Sequence, residues 1–249
     1  METNKRIVRI LKELHLPTMR ACFESEAGLA RRNALSFEQY LLEVLEREME
    51  ARRQSRIERY LHDSGLPLEK TMASFDRSRL PQKVEAHISL LVEGTFLDRA
   101  ENVLAFGNPG SGKTHLLCAI ANELIHRGRR ILFSSCSVLV EGLLAAKKDL
   151  KLTASLKRLG RYDAVVIDDI GYVQQSREEM EVLFTFMANR YEKASIMVTS
   201  NLPFSKWEQI FKDPMTTAAA IDRVVHHSII LELNVPSFRL EHSKKKDQG

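Results

Sequence analysis

Residues 102–114 read Asn-Val-Leu-Ala-Phe-Gly-Asn-Pro-Gly-Ser-Gly-Lys-Thr, a short apolar run that breaks into a glycine-rich loop and ends on a Lys-Thr pair. Gly107, Gly112, Lys113 and Thr114 fill the pattern G-x-x-x-x-G-K-[ST], with an apolar strand before it and a helical stretch after it. Glycines at 107, 110 and 112 let the backbone take positive φ and approach a ligand closely. Successive N–H groups of the segment Gly107-Asn108-Pro109-Gly110-Ser111-Gly112-Lys113-Thr114-His115 can then point at phosphate oxygens, while the following helix presents its positive end. Lys113 is placed to reach the β and γ phosphates, and Thr114 supplies a hydroxyl to Mg²⁺, which keeps most of its ligands as water and phosphate oxygen. The bland alternative is a glycine-rich turn with a chance Lys-Thr, but that alternative does not call for a strand before and a helix after. ATP with Mg²⁺ is the expected ligand.

Outward from this loop, the chain after Pro81 alternates short apolar runs with helical segments, the pattern of an α/β fold with a parallel sheet covered on both faces. Candidate strands are Asn102 to Phe106, Arg130 to Phe133, Ala164 to Ile167, Ile196 to Thr199 and Ser228 to Leu231. The preceding part reads as helices only: Ile7, Ile10, Leu11 and Leu14 share one face, and a second helix runs from about Thr18 to Arg32. Ser36 and Gln39 then form a capping box ahead of a stripe of Phe37, Leu41, Val44, Leu45 and Met49, on a helix reaching about Leu61. Gly65 and Pro67 end it, and 64–78 reads as a linker. The expected organisation is a helical domain over 1–76, a nucleotide-binding domain with a five-stranded parallel sheet over 77–241, and a disordered basic tail over 242–249.

The third candidate strand ends in Asp168 and Asp169, where a phosphate-loop enzyme needs a carboxylate for the Mg²⁺ shell. Consecutive strand-end residues face different directions, which assigns Asp168 to the metal and Asp169 to the attacking water. Two solvated acids at a strand end are the alternative. The fourth strand runs into Ser200 and Asn201 at the carboxyl edge of the sheet, where open parallel sheets bind ligands. Asn201 can reach water or the γ phosphate, and Asn before Leu-Pro is equally an ordinary turn former.

Composition excludes several classes. With 249 residues and 44% hydrophobic content the chain can bury a core, and no window approaches the roughly 18 apolar residues a membrane span needs. The start, Met-Glu-Thr-Asn-Lys-Arg, opens a charged amphipathic stretch, so neither export nor membrane is expected and the compartment is the cytoplasm. Cys22, Cys118 and Cys136 are far apart and form no metal or disulfide pattern, and Cys118 reads as a core residue. His226 and His227 are expected to diverge, and Trp207 with Phe204 and Phe211 reads as a packing stripe.

Taken together, Gly-Asn-Pro-Gly-Ser-Gly-Lys-Thr-His, Val-Ile-Asp-Asp-Ile-Gly, Val-Thr-Ser-Asn, Ile-Asp-Arg-Val-Val-His-His and Pro-Ser-Phe-Arg resemble the IstB-like ATPases, AAA+ helper subunits of bacterial insertion sequences. Leu16-Pro17-Thr18-Met19-Arg20, the Leu-Glu-Arg-Glu run from Leu45, the Arg-rich segment from Arg52 and Gly65-Leu66-Pro67 extend the resemblance over nearly the whole chain. The resemblance implies a P-loop AAA+ core without a carboxyl-terminal lid. It also implies catalytic roles for Lys113, Asp169 and Asn201, an arginine finger at Arg223 acting on a neighbouring subunit, and a second sensor at Arg239. From the residues alone, Arg223 reads sooner as a solvated helix Arg paired with Asp222 or another acid. Phe238, where the family more often has Tyr, and Pro236 depart from its pattern.

Lys147, Lys148, Lys151, Lys157 and Arg158 lie in 137–160, which resembles the extra helical insertion of the initiator and helicase-loader branch that faces DNA. A solvated helix face is the alternative. Arg53, Arg56 and Arg59 can grip DNA or pack against a protomer, beside the i,i+4 pairs Glu43–Arg47 and Glu48–Arg52. The resemblance implies a homo-oligomer with sites at subunit interfaces that assembles on double-stranded DNA with ATP and helps a partner transposase. The rivals are a DnaC-like helicase loader, a small-molecule P-loop kinase, and a DNA-binding protein with an inert nucleotide site.

Overall fold

A capping box built from Ser36 and Gln39 opens the longest helix of the chain: Ser36 N donates to Gln39 Oε1 at 2.9 Å and Gln39 N to Ser36 Oγ at 3.2 Å. The computed structural model describes residues 2–171, 176–203, 206–207 and 224–238, and its contacts divide the chain into two units, Met1–Arg59 and Tyr60–Gly249. No helix among the described residues is long and apolar enough to cross a membrane.

The first unit contains α1 (Glu2–Glu13), α2 (Pro17–Arg32) and most of α3 (Phe37–Ser64). Leu11, Met19, Phe23 and Val44 form its small core, with Ile7, Leu16, Cys22 and Tyr40 packed around them. The expected stripe on α3 is mostly not core: Val44 is 1% exposed, whereas Phe37 is 90%, Leu41 52%, Leu45 43% and Met49 69% exposed. Positions four apart precess around a 3.6-residue turn, and only the Val44 line meets α1 and α2. On α1 the same correction holds, with Leu11 buried while Ile10 and Leu14 are exposed.

Glu48 does more than pair with Arg52. From α3 its Oε2 accepts the N–H groups of Thr18 (2.9 Å) and Met19 (3.0 Å) in the first turn of α2, whose own N-cap, Leu16, offers no side-chain acceptor. Arg52 Nε donates to Oε1 at 2.8 Å. A buried carboxylate thus caps a helix from another element, matching the positive end of α2. Burial pushes its pKa up, but the Met19 amide, Arg52 and the Thr18 amide outweigh that and hold it below the usual Glu value. Arg47, expected to pair with Glu43, instead reaches Glu26 of α2 at 3.0 Å.

The second unit is a five-stranded parallel sheet in the order β2-β3-β4-β1-β5, with β1 (Asn102–Gly107), β2 (Ile131–Ser135), β3 (Ala164–Asp168), β4 (Ser195–Ser200) and β5 (Ser228–Leu233). All five expected strands are present, each within two residues of its expected ends. Leu104, Phe106, Val165, Ile167, Ile196 and Val198 alternate onto one face, beneath α7 (Cys136–Lys148), α8 (Leu152–Leu159) and α9 (Arg177–Arg190). The other face is covered by α6 (Lys113–His126) together with α4 (Gln82–Glu93), which the short α5 (Thr95–Asp98) joins to β1. Residues 60–76 belong to this unit by their contacts.

Two buried polar side chains tie the sheet together. Arg190, 2% exposed, donates to the carbonyls of Leu159 (3.0 Å), Tyr162 (2.9 Å) and Ser195 (2.9 Å), closing the ends of α8 and α9 over the start of β4. Burial lowers its pKa to about 10, so it stays charged at neutral pH. Asn102 accepts from Ile196 N at 2.9 Å and donates to Val224 O at 3.1 Å, linking β1 to β4 and to the turn before β5. Trp207 is buried against Phe106, while Phe204 and Phe211 of the expected stripe, and the tail 242–249, lie outside the described residues. The rings of His226 and His227 do not diverge but meet edge to face at 4.5 Å, where the helical turn 224–226 gives way at His227 to the turn before β5.

The Glu48 arrangement has a pH signature. A carboxyl held low in the fold adds stability that is complete above the ordinary Glu range and is lost as pH falls through the lowered value. Glu48→Gln is expected to cost about 1–3 kcal/mol at pH 7, and the gap to the parent should close on acidification. Denaturant titrations at several pH values, with exchange of the Thr18 and Met19 amides followed in parallel, check this.

Candidate functional site

The sheet order brings separate parts of the chain to one edge. β4 lies between β3 and β1, in register Ile167↔Val198 and Ala105↔Thr199, so the ends of β1, β4 and β3 stand side by side. The loop after β1 therefore faces the acids after β3 across the end of β4.

Gly112, in the left-handed region at φ 95°, is the N-cap of α6, and Lys113 and Thr114 open the helix. Lys113 is 6% exposed, and its Nζ donates to the carbonyls of Gly107 (2.8 Å) and Asn108 (2.9 Å). A buried ammonium at the loop favours an anion beside it. Thr114 Oγ1 donates to Asp168 Oδ1 at 2.7 Å. The same Oδ1 accepts from Thr199 Oγ1 at 2.6 Å, and Thr199 Oγ1 accepts in turn from Asp169 N at 2.8 Å. Asp169 itself turns out of the strand at φ 58°, a region that Asp tolerates better than most residues.

Pro109, Gly110, Ser111, Gly112, Lys113, Thr114, His115, Asp169 and Asn201 all line one cavity of about 390 Å³, a volume suited to a small ligand. Gly107 and Asn108 contribute through the carbonyls that hold Lys113, and Asp168 through its bond to Thr114. The residues fit a metal-bound triphosphate. A hydroxyl and a carboxylate, the hard oxygen donors Mg²⁺ takes, are in contact, and Ser111 Oγ is buried at the loop without a hydrogen-bond partner.

The expected linker supplies the other wall. Lys70, Ser74, Phe75, Asp76, Arg79 and Leu80 line the cavity, with Val235 and Phe238 from beyond β5. His115 holds this wall to the loop: its Nε2 lies 3.2 Å from both Thr71 O and Ser74 Oγ, and its ring meets Phe75 edge-on at 5.0 Å. A strap of residues 234–238 crosses the loop, with Phe238 N donating to Gly110 O at 3.0 Å and Arg79 Nη2 to Pro236 O at 3.1 Å. The Arg79 guanidinium stands over the Phe238 ring at 5.5 Å. Sequence reading missed Thr199, Phe75 and Arg79. For Thr199 a signal existed, since it is a lone hydroxyl in the apolar run Ile-Met-Val-Thr. Residues 70–80 carry no period that marks them as a wall.

Arg223 and Arg239 lie outside the described residues. Among the basic candidates, Lys147 pairs with Glu181 at 2.9 Å and Lys151 with Asp149 at 3.9 Å, while Lys148, Lys157 and Arg158 are exposed in the last turns of α7 and α8. Arg53 sits 3.7 Å from Glu50, and Arg56 and Arg59 are exposed. Cys118 is buried behind the loop helix, and burial pushes its thiol up to about 12, which suits a core residue and not a nucleophile.

Residues 9–246 match the family described as IstB-like ATP binding protein. A putative insertion sequence ATP-binding protein of Sinorhizobium fredii is 38% identical over 235 residues, covering 94% of this chain and 79% of the relative. The IS5376 putative ATP-binding protein of Geobacillus stearothermophilus is 35% identical over 98% of this chain and 99% of its own length. Among solved structures, AMPPCP-bound DnaA from Aquifex aeolicus aligns with a TM-score of 0.56 at 18% identity, over 74% of this chain and 56% of that one. DnaI aligns with a TM-score of 0.57 at 20% identity, over 68% of this chain and 95% of that one. At such identities the structural likenesses speak for the fold, a P-loop AAA+ core.

The crossing of strap and loop depends on Gly110, at φ 78°, where an added Cβ would lie 2.2 Å from Ser237 Oγ and 3.1 Å from its Cβ. Gly110→Ala is expected to lower stability by about 1–3 kcal/mol through the left-handed backbone and the clash together. Adding Ser237→Gly should return the part due to the clash and leave the backbone part, as read from thermal unfolding of the single and double variants.

Proposed function

Because this chain belongs to the IstB-like ATP-binding family, we propose that it is a Mg²⁺-dependent ATPase that oligomerises on duplex DNA and assists a transposase in engaging its target. Family membership makes it an ATP-binding AAA+ protein. The observation that carries hydrolysis is the cluster in which Thr114 of the loop helix and Thr199 of β4 converge on Asp168 Oδ1, with Asp169 at the mouth of the same cavity.

On this reading Lys113 exchanges the carbonyls of Gly107 and Asn108 for the β and γ phosphates. Thr114 could offer a lone pair to Mg²⁺ while its O–H still donates to Asp168, so hydroxyl and carboxylate would hold the metal side by side. Bound Mg²⁺ supplies charge neutralisation at the phosphate oxygens. Asp169 takes the proton of the attacking water, and Asn201, lining the same cavity, orients that water or the γ phosphate. Arg223 acts on a neighbouring subunit's γ phosphate, which makes hydrolysis a property of the oligomer. The relatives named as insertion sequence ATP-binding proteins support the transposition role, and a match that begins at residue 9 takes in the helical first unit as well as the ATPase core. That is why this reading is preferred to a helicase loader.

DNA contact is assigned to Lys148, Lys157 and Arg158, with Lys147 and Lys151 beside them, and to Arg53, Arg56 and Arg59. Phosphate contacts of this kind are insensitive to sequence and weaken steeply with salt.

Lys113→Ala is expected to abolish Mg-ATP binding in calorimetry. Asp169→Asn should bind Mg-ATP as the parent does, lose about a hundredfold or more in phosphate release, and persist on DNA as a long-lived oligomer. For Arg223→Ala, nucleotide binding should survive while hydrolysis disappears, and the parent's rate per subunit should rise with protein concentration. A parent-like rate in Arg223→Ala would refute the shared site.

A further inference from the structure

Thr199 is wholly buried, yet its hydroxyl is the junction of the site. A hydroxyl has one proton to give. Here it goes to Asp168 Oδ1 at 2.6 Å, which obliges the Thr199 oxygen to be the acceptor of the Asp169 N–H at 2.8 Å. The main-chain carbonyl of the same residue accepts from Ile170 N at 3.0 Å. Thr199 therefore holds three consecutive residues, Asp168, Asp169 and Ile170, by one side-chain donor, one side-chain acceptor and one backbone acceptor.

This matters because the parallel ladder between β3 and β4 ends at Ile167↔Val198. Beyond that pair the chain leaves the sheet through the left-handed Asp169, a conformation that persists when its surroundings define it. The Thr199 hydroxyl takes over from the ladder at that point. Two residues further along, just past the end of β4 at Ser200, is Asn201, and Asn201 and Asp169 line one cavity.

We infer that Thr199 is the positioning residue of the hydrolytic step: it orients Asp168 toward Thr114, fixes the backbone from which Asp169 projects, and couples the end of β4 at Asn201 to both acids. This rests on the ATPase reading above. Thr199 is buried and is not among the residues that line the cavity, so its removal acts on turnover and leaves binding in place.

The test compares Thr199→Val, which keeps the shape and removes the hydroxyl, with Thr199→Ser, which keeps the hydroxyl. Mg-ATP affinity, kcat and KM for phosphate release, and the Mg²⁺ concentration for half-maximal rate are measured on the full chain with DNA present. Thr199→Val should lose about tenfold or more in kcat, bind Mg-ATP within about threefold of the parent, and need more Mg²⁺. Thr199→Ser should return to within about threefold of the parent kcat. Thr199→Ala gives the same comparison if the valine chain does not fold. Overturning results are a hydroxyl-free variant that turns over like the parent, a serine variant as slow as the valine one, or a loss confined to KM. A parent that releases no phosphate takes down the ATPase reading and this assignment together, whereas an active parent with an unaffected Thr199→Val takes down this assignment alone.

Discussion

Two hydroxyl protons directed at one carboxylate oxygen organise the second unit. Asp168 Oδ1 receives Thr114 from α6 and Thr199 from β4, so a helix, a strand end and the neighbouring strand end meet at a single atom. Such a point is costly to build from separate elements, since each group must lose hydration and rotamer freedom before it gains its bond. A parallel sheet lowers that cost by delivering the ends of β1, β4 and β3 to the same edge in fixed register. The remaining features of the site, from the buried Lys113 to the left-handed Asp169, are arranged about that atom.

The cavity also has a wall made of irregular chain and one short 3₁₀ turn, Arg77–Arg79. Residues 234–238 are bound to the loop by the Phe238 N–H on Gly110 O, and to residues 70–80 by the Arg79 guanidinium, which donates to Pro236 O and stands over the Phe238 ring. The bond to Gly110 needs no particular side chain, whereas the one to Pro236 requires the arginine at 79. His115, directly after the Lys-Thr pair, ties the first of these segments to the loop helix. The wall and the loop are thus joined as parts of one site.

In the first unit the same economy appears on a smaller scale. Glu48, buried on α3, serves the amides of α2 that have no acceptor of their own, and it is neutralised by Arg52. Such a cap adds a directional constraint between α2 and α3 to the non-directional packing of the apolar side chains between them. The apolar line Phe37, Leu41, Leu45 and Met49 stays on the surface of α3, because Val44 already occupies the face turned to α1 and α2.

What the sequence by itself determined is the local and periodic part. A glycine-rich loop between strand and helix, five apolar runs at the right separation, and a capping box before a long helix are each written in neighbouring residues, and all are found. Asp168 and Asp169 were legible too, as charges at the end of a run that is otherwise buried. Other features depend on residues far apart in the chain and were decided only by the tertiary structure. Thr199 lies 85 positions from Thr114, and it is the strand order, absent from any window of sequence, that brings them to one oxygen. Phe75 reads as linker because a wall built on irregular chain has no period, and Glu48 reads as one half of an i,i+4 pair because its helix-capping partners are 29 and 30 residues away. Periodicity records which face of an element is apolar. Which partner covers that face, or leaves it open as on α3, is settled when the elements pack.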